Sequence, residues 1–445
     1  MERTFYKKLL AIALPITFQN MIAYSVNMAD TLMLGSFGET TLSAVSLAGQ
    51  VFFMFSLLIG GLASGSSVLC SQYYGRQDLV TLRKVVSIAL KISLGLSSLF
   101  VLLLLVLPMP VMRLFTLDRE VIHQGALYFR VVAVSYLCYG VTTIFLIALR
   151  SVQDVKLSLR IYGVSLLINI FFNYMFIFGK FGAPKLGIVG AAIGTVIARL
   201  TELIMVLFYL KYKEKTLQFR ISMLKLYDKR LLKDMVRYGL PVTAGEFLWG
   251  LGISVHCAIL GHMGATAVAA NSICNVLHQF MLSFVQGMGS AAAVMIGAYI
   301  GAGMYQEAKA GSKVLVRIFA LCGITMGVFI LLISEPFFAF YNLQAGTLKL
   351  ARQFILVYAM ATLFRSISGP TLCGIFWGSG DTVFSAKVDI GFLWALIPVG
   401  LIAAFALHLS PAIVLLILRM ETLFKTIVAL YHLRGTRWIQ QVTRE

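Results

Sequence analysis

The sequence predicts an all-α membrane protein whose twelve transmembrane helices form two homologous six-helix bundles. Composition is the first observation behind this prediction: 59% of the 445 residues are hydrophobic, 12% are charged, and the mean hydropathy is +0.89. A soluble globule of this composition would lack the polar surface needed to cover itself. The other two observations are a series of long apolar runs and a repeat of the first half of the chain in the second.

The apolar runs are about 20 residues or longer, enough to cross a hydrocarbon core of about 30 Å at a rise of about 1.5 Å per residue. Helices are expected because a backbone exposed to lipid must satisfy its own hydrogen bonds. Charged residues, glycines and prolines between the runs set the boundaries. The twelve predicted spans are 10–34, 44–72, 85–107, 124–149, 159–179, 187–210, 235–261, 267–299, 312–334, 349–377, 384–407 and 411–432.

Basic residues are concentrated in alternate connections along the chain. These connections contain Arg3, Lys7, Lys8, Arg76, Arg83, Lys84, Arg150, Lys156, Arg160, Lys309, Lys313, Lys387, Arg434, Arg437 and eight residues of segment 211–233. The exceptions on the opposite face are Arg113, Arg119, Lys180 and Lys185. The bias predicts a bacterial cytoplasmic (inner) membrane protein with both termini cytoplasmic. It also explains the net charge of +19 without a nucleic-acid surface, because no basic block with interleaved aromatic residues is present.

A second copy of the first half follows at a constant offset of 226 residues. The offset places Leu14-Pro15 on Leu240-Pro241, Gly35 on Gly261, Ala44 on Ala270, Gly61 on Gly287, Ser64 on Ser290, Tyr73 on Tyr299, Gly75 on Gly301 and Pro110 on Pro336. Glycines and prolines that keep one register over about a hundred residues indicate duplication. We therefore predict an N-terminal bundle over 1–210, a basic cytoplasmic linker over 211–233 and a C-terminal bundle over 234–445, with both copies in the same orientation.

Polar side chains inside the spans of the first half predict a cation-binding site. Asp30 lies well inside the first span, where a carboxylate costs several kcal/mol unless it is paired, protonated or bound to a cation. Asn169 and Asn173 are one turn apart on span five, and Thr195 lies in span six. Their oxygen atoms suit sodium or a proton better than a transition metal. Hydrogen bonding between helices, worth about 0.6–2 kcal/mol, is an equally good explanation of the two asparagines.

Polar residues on span seven of the second half predict a substrate cavity. Glu246, Trp249 and His256 lie on one helical stripe, and His256 occupies the position equivalent to Asp30. A carboxylate beside an indole suits an organic cation, through charge attraction and cation–π contact. Glu246 has two open interpretations: it binds the substrate, or it forms an internal salt bridge with Arg365 in span ten, a residue that is also assigned to the cavity.

Other polar residues within the spans have mainly structural interpretations. Asn275 on span eight is assigned to the candidate cavity, although Asn275 and His278 are also typical of satisfied polar groups in a core. Asp389 near the cytoplasmic end of span eleven is expected to snorkel or to be paired rather than to take part in transport. Pro370 is expected to bend span ten. The ion pairs predicted from helical spacing are Arg199 with Glu202 and Glu421 with Lys425.

The sequence contains no motif of a nucleotide-driven or catalytic protein. It lacks a Walker-type phosphate-binding loop, a Ser/His/Asp arrangement and an HExxH motif. Its six cysteines lie in apolar runs without CxxC spacing, which indicates neither a disulfide framework nor a zinc site. We therefore expect a protein that is not an enzyme and has no catalytic residues, no metal site and no cofactor.

Several short motifs occur in a fixed order over both halves. In the first half they are Ala13-Leu14-Pro15, 30–35 (DTLMLG), 71–75 (SQYYG), 150–154, 169–179 and 187–195; in the second they are Gly239-Leu240-Pro241, 300–303 (IGAG) and 378–382 (GSGDT). In order and spacing, the chain resembles the multidrug and toxic compound extrusion (MATE) family of transporters from end to end. The resemblance implies a V-shaped pair of six-helix bundles around a central cavity that alternates its access.

The resemblance also implies a function and a site. It implies export of cationic or amphiphilic compounds against a sodium or proton gradient, with Asp30 matching the aspartate on the first helix of the family. The family often has an aspartate where this chain has Asn173. This difference removes one negative charge and one protonatable group, and it leaves the choice between sodium and proton open.

We therefore expect a secondary antiporter, working as a monomer, whose partners are a small organic substrate, sodium or protons, and membrane lipids. The main alternative is a lipid-linked precursor flippase or polysaccharide exporter, whose cavity should be strongly cationic to hold pyrophosphate. Asp30 and Glu246 against one Arg365 favour organic cations. A membrane scaffold or receptor is a third hypothesis, and it should lack the duplicated pattern of charges.

Overall fold

A computed structural model describes residues 2–35, 39–339 and 344–444. The regular structure of these ranges is helical, and they contain no β-strand. The α-helices are α1 (Glu2–Gly35), α2 (Glu39–Gly75), α3 (Leu79–Val106), α4 (Pro108–Arg113), α5 (Arg119–Ser151), α6 (Lys156–Phe178), α7 (Ile188–Tyr212), α8 (Lys229–Asp234), α9 (Leu240–His262), α10 (Ala265–Gly301), α11 (Tyr305–Ala339), α12 (Ala345–Pro370), α13 (Thr382–Leu401), α14 (Pro411–Arg419) and α15 (Glu421–Arg434).

Eleven helices in the described ranges are long and apolar enough to span a membrane, against twelve predicted spans. The difference lies in the last span, 411–432, which the structure divides at Met420 into the short helices α14 and α15. The α-helical pattern also changes to wider π-helical turns at three places, Met235–Gly239, Thr371–Phe376 and Ile402–Ala406. The second of these turns begins directly after Pro370, where the sequence predicts a bend.

Local sequence explains where several helices begin and end. Asp78 caps α3, since its carboxylate accepts a hydrogen bond from the backbone N–H of Thr81 at 3.0 Å. Asp118 caps α5 in the same way. Gly179 ends α6 in the left-handed conformation, with φ of 68°, which glycine adopts without a side-chain penalty.

The described chain groups into two compact units. The N-unit contains Phe18–Cys70 and Asp78–Met235, and the C-unit contains Met1–Thr17, Ser71–Gln77 and Val236–Glu445. Aromatic side chains fill part of the N-unit core, where the ring centroids of Phe55 and Tyr136 are 4.7 Å apart. The division of the chain at residues 210 and 234 stays a prediction.

The chain end forms a strap within the C-unit, over residues 435–444. The side-chain amide of Gln72 donates to the carbonyls of Gly378 and Gln440, both at 3.1 Å, and its Oε1 accepts from the backbone N–H of Val442 at 2.8 Å. The Trp438 side chain in this strap is fully buried. The strap therefore ties the end of α2 to the turn between α12 and α13.

Candidate functional site

The N-unit brings three of the four predicted cation ligands together. The side-chain amide of Asn173 on α6 donates to Asp30 Oδ1 on α1 at 2.5 Å. The same Nδ2 lies 3.2 Å from Asn169 Oδ1, one turn earlier on α6. Asn169 and Asn173 are buried, whereas Asp30 is partly exposed. Asn173 therefore holds the Asp30 carboxylate by a neutral hydrogen bond, and Asn169 accepts from the same Asn173 amide.

Thr195 joins this group indirectly. Its hydroxyl donates to the carbonyl of Ala191 within α7 at 3.0 Å. It also forms a side-chain hydrogen bond with Tyr128 of α5, and Tyr128 in turn interacts electrostatically with Asp30. Sequence reasoning missed Tyr128, because a tyrosine in an apolar run carries no periodic or charge signal of its own.

The close approach of α6 and α7 restricts the space around the Asn173 side chain. A β-carbon at Gly194 would clash with Asn173 Oδ1, and one at Gly190 would lie 2.5 Å from the carbonyl oxygen of Phe176. Glycine at these two positions lets the helices pack at short distance. Asn173 Oδ1 is buried and, among the residues described, has no hydrogen-bond partner. The site therefore contains a carboxylate and a second oxygen without a protein donor.

Asp30 forms no ion pair with any residue that the structure describes. Arg199 on α7 is near enough to act on Asp30 electrostatically, but its guanidinium donates to both Glu202 oxygens at 3.0 Å. Ser165 also donates to Glu202 at 2.6 Å. Arg199 further lies over the Tyr139 ring, 5.1 Å from its centroid. The predicted Arg199–Glu202 pair is confirmed, and it engages a cation that acts on Asp30 electrostatically.

In the C-unit, Arg365 pairs with a carboxylate other than Glu246, the partner that the sequence suggested. Arg365 Nη1 lies 3.6 Å from Asp389 Oδ1, and its guanidinium covers the Trp249 ring at 5.6 Å from the centroid. Within the described ranges Glu246 has no ion pair, although Arg365 and Asp389 both act on it electrostatically. The ion-pair partner of Arg365 is thus Asp389, and the indole face expected to receive an organic cation carries Arg365.

Asp389 lies at the centre of a buried charge network. Lys425 Nζ donates to Asp389 Oδ1 at 2.8 Å and lies 2.6 Å from Glu421 Oε2. The Lys425 side chain is fully buried. The predicted pairing of Asp389 and the predicted Glu421–Lys425 pair are both confirmed. The sequence did not reveal that one aspartate joins Arg365 and Lys425, because the three residues lie on α12, α13 and α15.

The remaining predicted cavity residues are not all brought together. His256 on α9 is 3% exposed, and neither of its ring nitrogens has a hydrogen-bond partner in the described part of the chain. Asn275 on α10 is partly exposed, and no described hydrogen bond links it to Glu246, Trp249 or His256. His278 is a satisfied core residue, with Nδ1 3.0 Å from Thr362 Oγ1.

No group of three or more His, Cys, Asp or Glu side chains in the described ranges has the arrangement of a metal site. Three cysteines, Cys70, Cys138 and Cys274, are buried, and Cys257 is exposed. The chemistry of both units is therefore that of carboxylates, amides and fixed cations within the helices.

Comparison with known proteins identifies a family model and relatives that match this chain. The MatE family model matches residues 15–175 and 247–402. The chain is 25% identical over 451 aligned positions to the "Probable multidrug resistance protein NorM" of Thermotoga maritima, covering 99% of this chain and 95% of the relative. It is also 25% identical to the "Probable multidrug resistance protein YoeA" of Bacillus subtilis, over 87% of this chain and 84% of that one.

Solved structures share the fold. An outward-facing multidrug resistance MATE family transporter of the MOP superfamily superposes with a TM-score of 0.88 at 18% identity, covering 96% of this chain and 95% of that chain. The similarity spans the helices that carry both candidate sites.

Proposed function

The chain belongs to the MATE family of transporters, and from this membership we propose that it is a secondary antiporter. It exports small organic compounds, cationic or amphiphilic, in exchange for sodium ions or protons. Asp30 is the ion site, assisted by Asn169, Asn173 and Thr195. Glu246, Trp249, His256, Arg365 and Asn275 line the region that receives the substrate.

The observation that carries this proposal is the environment of Asp30. Among the described residues, its hydrogen-bond partner is the neutral amide of Asn173, and it has no basic residue at ion-pair distance. A carboxylate inside a transmembrane span costs several kcal/mol unless a positive charge or a proton neutralises it. A mobile sodium ion or proton supplies that neutralisation, and the Asn173 Oδ1 without a donor supplies a further hard oxygen.

Coupling follows when the ion and the substrate favour different conformations of the protein. Ion binding at Asp30 stabilises one conformation, and substrate binding stabilises the other, so each promotes release of its counterpart. Glu246 supplies the negative charge for a cationic substrate, because the described part of the chain gives it no ion pair. A cation that contacts the Trp249 ring must first displace Arg365.

We further propose that the protein lies in a bacterial cytoplasmic membrane with both termini in the cytoplasm, a proposal that the basic connections support. The relatives from Thermotoga maritima and Bacillus subtilis are bacterial proteins, in agreement with this placement. Segment 211–233 then lies on the cytoplasmic face. Two backbone carbonyls of this segment accept hydrogen bonds from side chains of α3 in the N-unit. Arg83 Nε donates to the Leu217 carbonyl at 2.6 Å, and Lys91 Nζ donates to the Leu226 carbonyl at 2.9 Å.

Uptake of ethidium into everted membrane vesicles tests the proposal, with sodium and proton gradients imposed separately. We expect one of the two gradients to drive uptake by the wild type, and Asp30→Asn to abolish this uptake. Asp118→Asn is the matched control, since asparagine caps a helix as well as aspartate does. Wild-type uptake in Asp30→Asn would refute the ion site. If neither gradient drives ethidium uptake by the wild type, the result would favour the flippase hypothesis.

A further inference from the structure

His256 is a polar side chain buried without a partner. It is 3% exposed, and neither Nδ1 nor Nε2 has a hydrogen-bond partner among the residues described. A neutral imidazole has one N–H donor and one acceptor. Leaving both unused in an apolar interior is costly, so such a residue calls for a ligand or a specific explanation.

Arg419, at the end of α14, is a second incompletely satisfied group. Its Nη2 donates to the hydroxyl of Tyr358 at 3.3 Å, and its guanidinium lies 5.0 Å from the centroid of that ring. Its Nε is buried and, in the described ranges, has no hydrogen-bond partner. No described carboxylate lies at ion-pair distance from it.

Two carboxylates in the helices α13 and α15 are engaged with another cation. Asp389 and Glu421 both pair with Lys425, at 2.8 and 2.6 Å. No described carboxylate is therefore available to neutralise the charge of Arg419.

His256 and Arg419 lie on helices that pack against each other in the C-unit. Leu418, next to Arg419, belongs to an apolar cluster against which Val255 packs and which includes Ile259. Val255 directly precedes His256 on α9, and Ile259 follows it by about one turn. Arg419 is also near enough to His256 to act on it electrostatically.

We propose that His256 and Arg419 bind the carboxylate group of an amphiphilic substrate. A guanidinium and an imidazole N–H are both donors to a carboxylate, and the hydrogen bond from the charged group is the stronger. This inference rests on the proposed export function and narrows its substrate class to zwitterions. Glu246 lies ten residues before His256 on α9, a distance of about 15 Å along the axis, so an elongated zwitterion reaches both ends.

A matched pair of dyes tests the site. Rhodamine B carries a carboxylate and a cationic ring system, and its ethyl ester keeps the ring system but lacks the negative charge. Binding of each dye to the purified protein is measured by fluorescence anisotropy at neutral pH. We expect Arg419→Gln to weaken rhodamine B binding about tenfold, the effect of losing a charge-assisted hydrogen bond, and to change ester binding less than about twofold.

Two further variants keep the test independent of folding. Arg419→Lys retains the charge and should recover part of the rhodamine B affinity. His256→Phe should weaken rhodamine B binding several-fold and spare the ester. The control is His262→Phe on the same helix, where the exposed imidazole Nδ1 lies 2.9 Å from the Ala258 carbonyl and no change is expected.

The outcomes separate this inference from the proposed function. One outcome is that the wild type binds the ester while the Arg419 and His256 variants bind rhodamine B as the wild type does. This result would overturn the carboxylate site and leave the proposal of cation export standing. Equal weakening of both dyes in Arg419→Gln and His256→Phe would also overturn it. A wild type that binds neither dye would contradict both proposals.

Discussion

The two units surround the carboxylates within their helices with different residues. Asp389 in the C-unit has Lys425 at 2.8 Å and Arg365 at 3.6 Å, so fixed cations neutralise it. Asp30 in the N-unit has the amide of Asn173 and no ion pair with a described residue. A carboxylate between two fixed cations does not require a mobile one, whereas our proposal assigns a mobile cation to Asp30. This contrast distinguishes the proposed ion site from the structural network.

Replacing Asn173 by aspartate tests how the site selects its ion. Asn173→Asp places a second carboxylate within hydrogen-bonding distance of Asp30, and two such groups hold one proton between them. We expect sodium-free transport by this variant to depend more steeply on pH than transport by the wild type. Rates of dye efflux between pH 6 and 8 measure this. The neutral variant Asn173→Ser should keep the wild-type slope, and an unchanged slope in Asn173→Asp would argue against contact between the two side chains.

Lys425 is expected to be essential for stability. Lys425→Met leaves Asp389 and Glu421 buried without their shared cation, a loss of about 3–5 kcal/mol in the free energy of unfolding. Unfolding of the purified protein in detergent measures the loss. The control is Arg352→Met at the exposed pair with Glu335, which should leave the unfolding midpoint unchanged. Equal stability of Lys425→Met and the wild type would mean that the network is not buried as described.

Among the helices, the contact between α6 and α7 shapes the proposed ion site. Periodicity in the sequence predicts both helices and places Asn169 and Asn173 on one face of α6. It does not predict that Gly190 and Gly194 let α7 approach that face, because a glycine in a helical run is equally compatible with a neutral position. The pairing of the two helices depends on packing that only the fold reveals.

A β-carbon at Gly194 should disturb the ion site directly. Gly194→Ala would clash with Asn173 Oδ1 and displace the amide that holds Asp30, and overpacking of this kind costs about 1–3 kcal/mol. We expect lower thermal stability together with loss of ion-driven transport. Gly163→Ala on α6 is the control, since a β-carbon there has no neighbour within 4 Å. Normal transport by Gly194→Ala would show that the position of the amide is not critical.

The strap over residues 435–444 depends on Gln72 of α2. Gln72→Leu removes the two hydrogen bonds it donates and the one it accepts from Val442, so we expect residues 438–444 to exchange their amide hydrogens much faster. Hydrogen exchange followed by mass spectrometry measures this. Gln50→Leu, an exposed position on the same helix, should have no effect. Unchanged exchange in Gln72→Leu would show that other contacts hold the strap.

At the scale of the whole molecule, the sequence predicted the helical membrane fold because long apolar runs leave no other solution. The last span is the exception: its apolar pattern continues through Met420, but the structure interrupts the helix there. The candidate sites were predicted in part. Asp30, Asn169 and Asn173 could be grouped from depth and helical spacing, but the placement of Arg365 on Trp249 and Asp389 depends on contacts between distant helices.

The proposed export cycle depends on an ion that enters at Asp30. Its most direct test is ion movement driven by a substrate gradient in proteoliposomes that contain only the purified protein. An imposed ethidium gradient should move sodium or protons in the opposite direction, as followed with radioactive sodium or an internal pH dye, and Asp30→Asn should abolish this movement. Substrate-driven ion movement that persists in Asp30→Asn would contradict the proposal that Asp30 is the ion site.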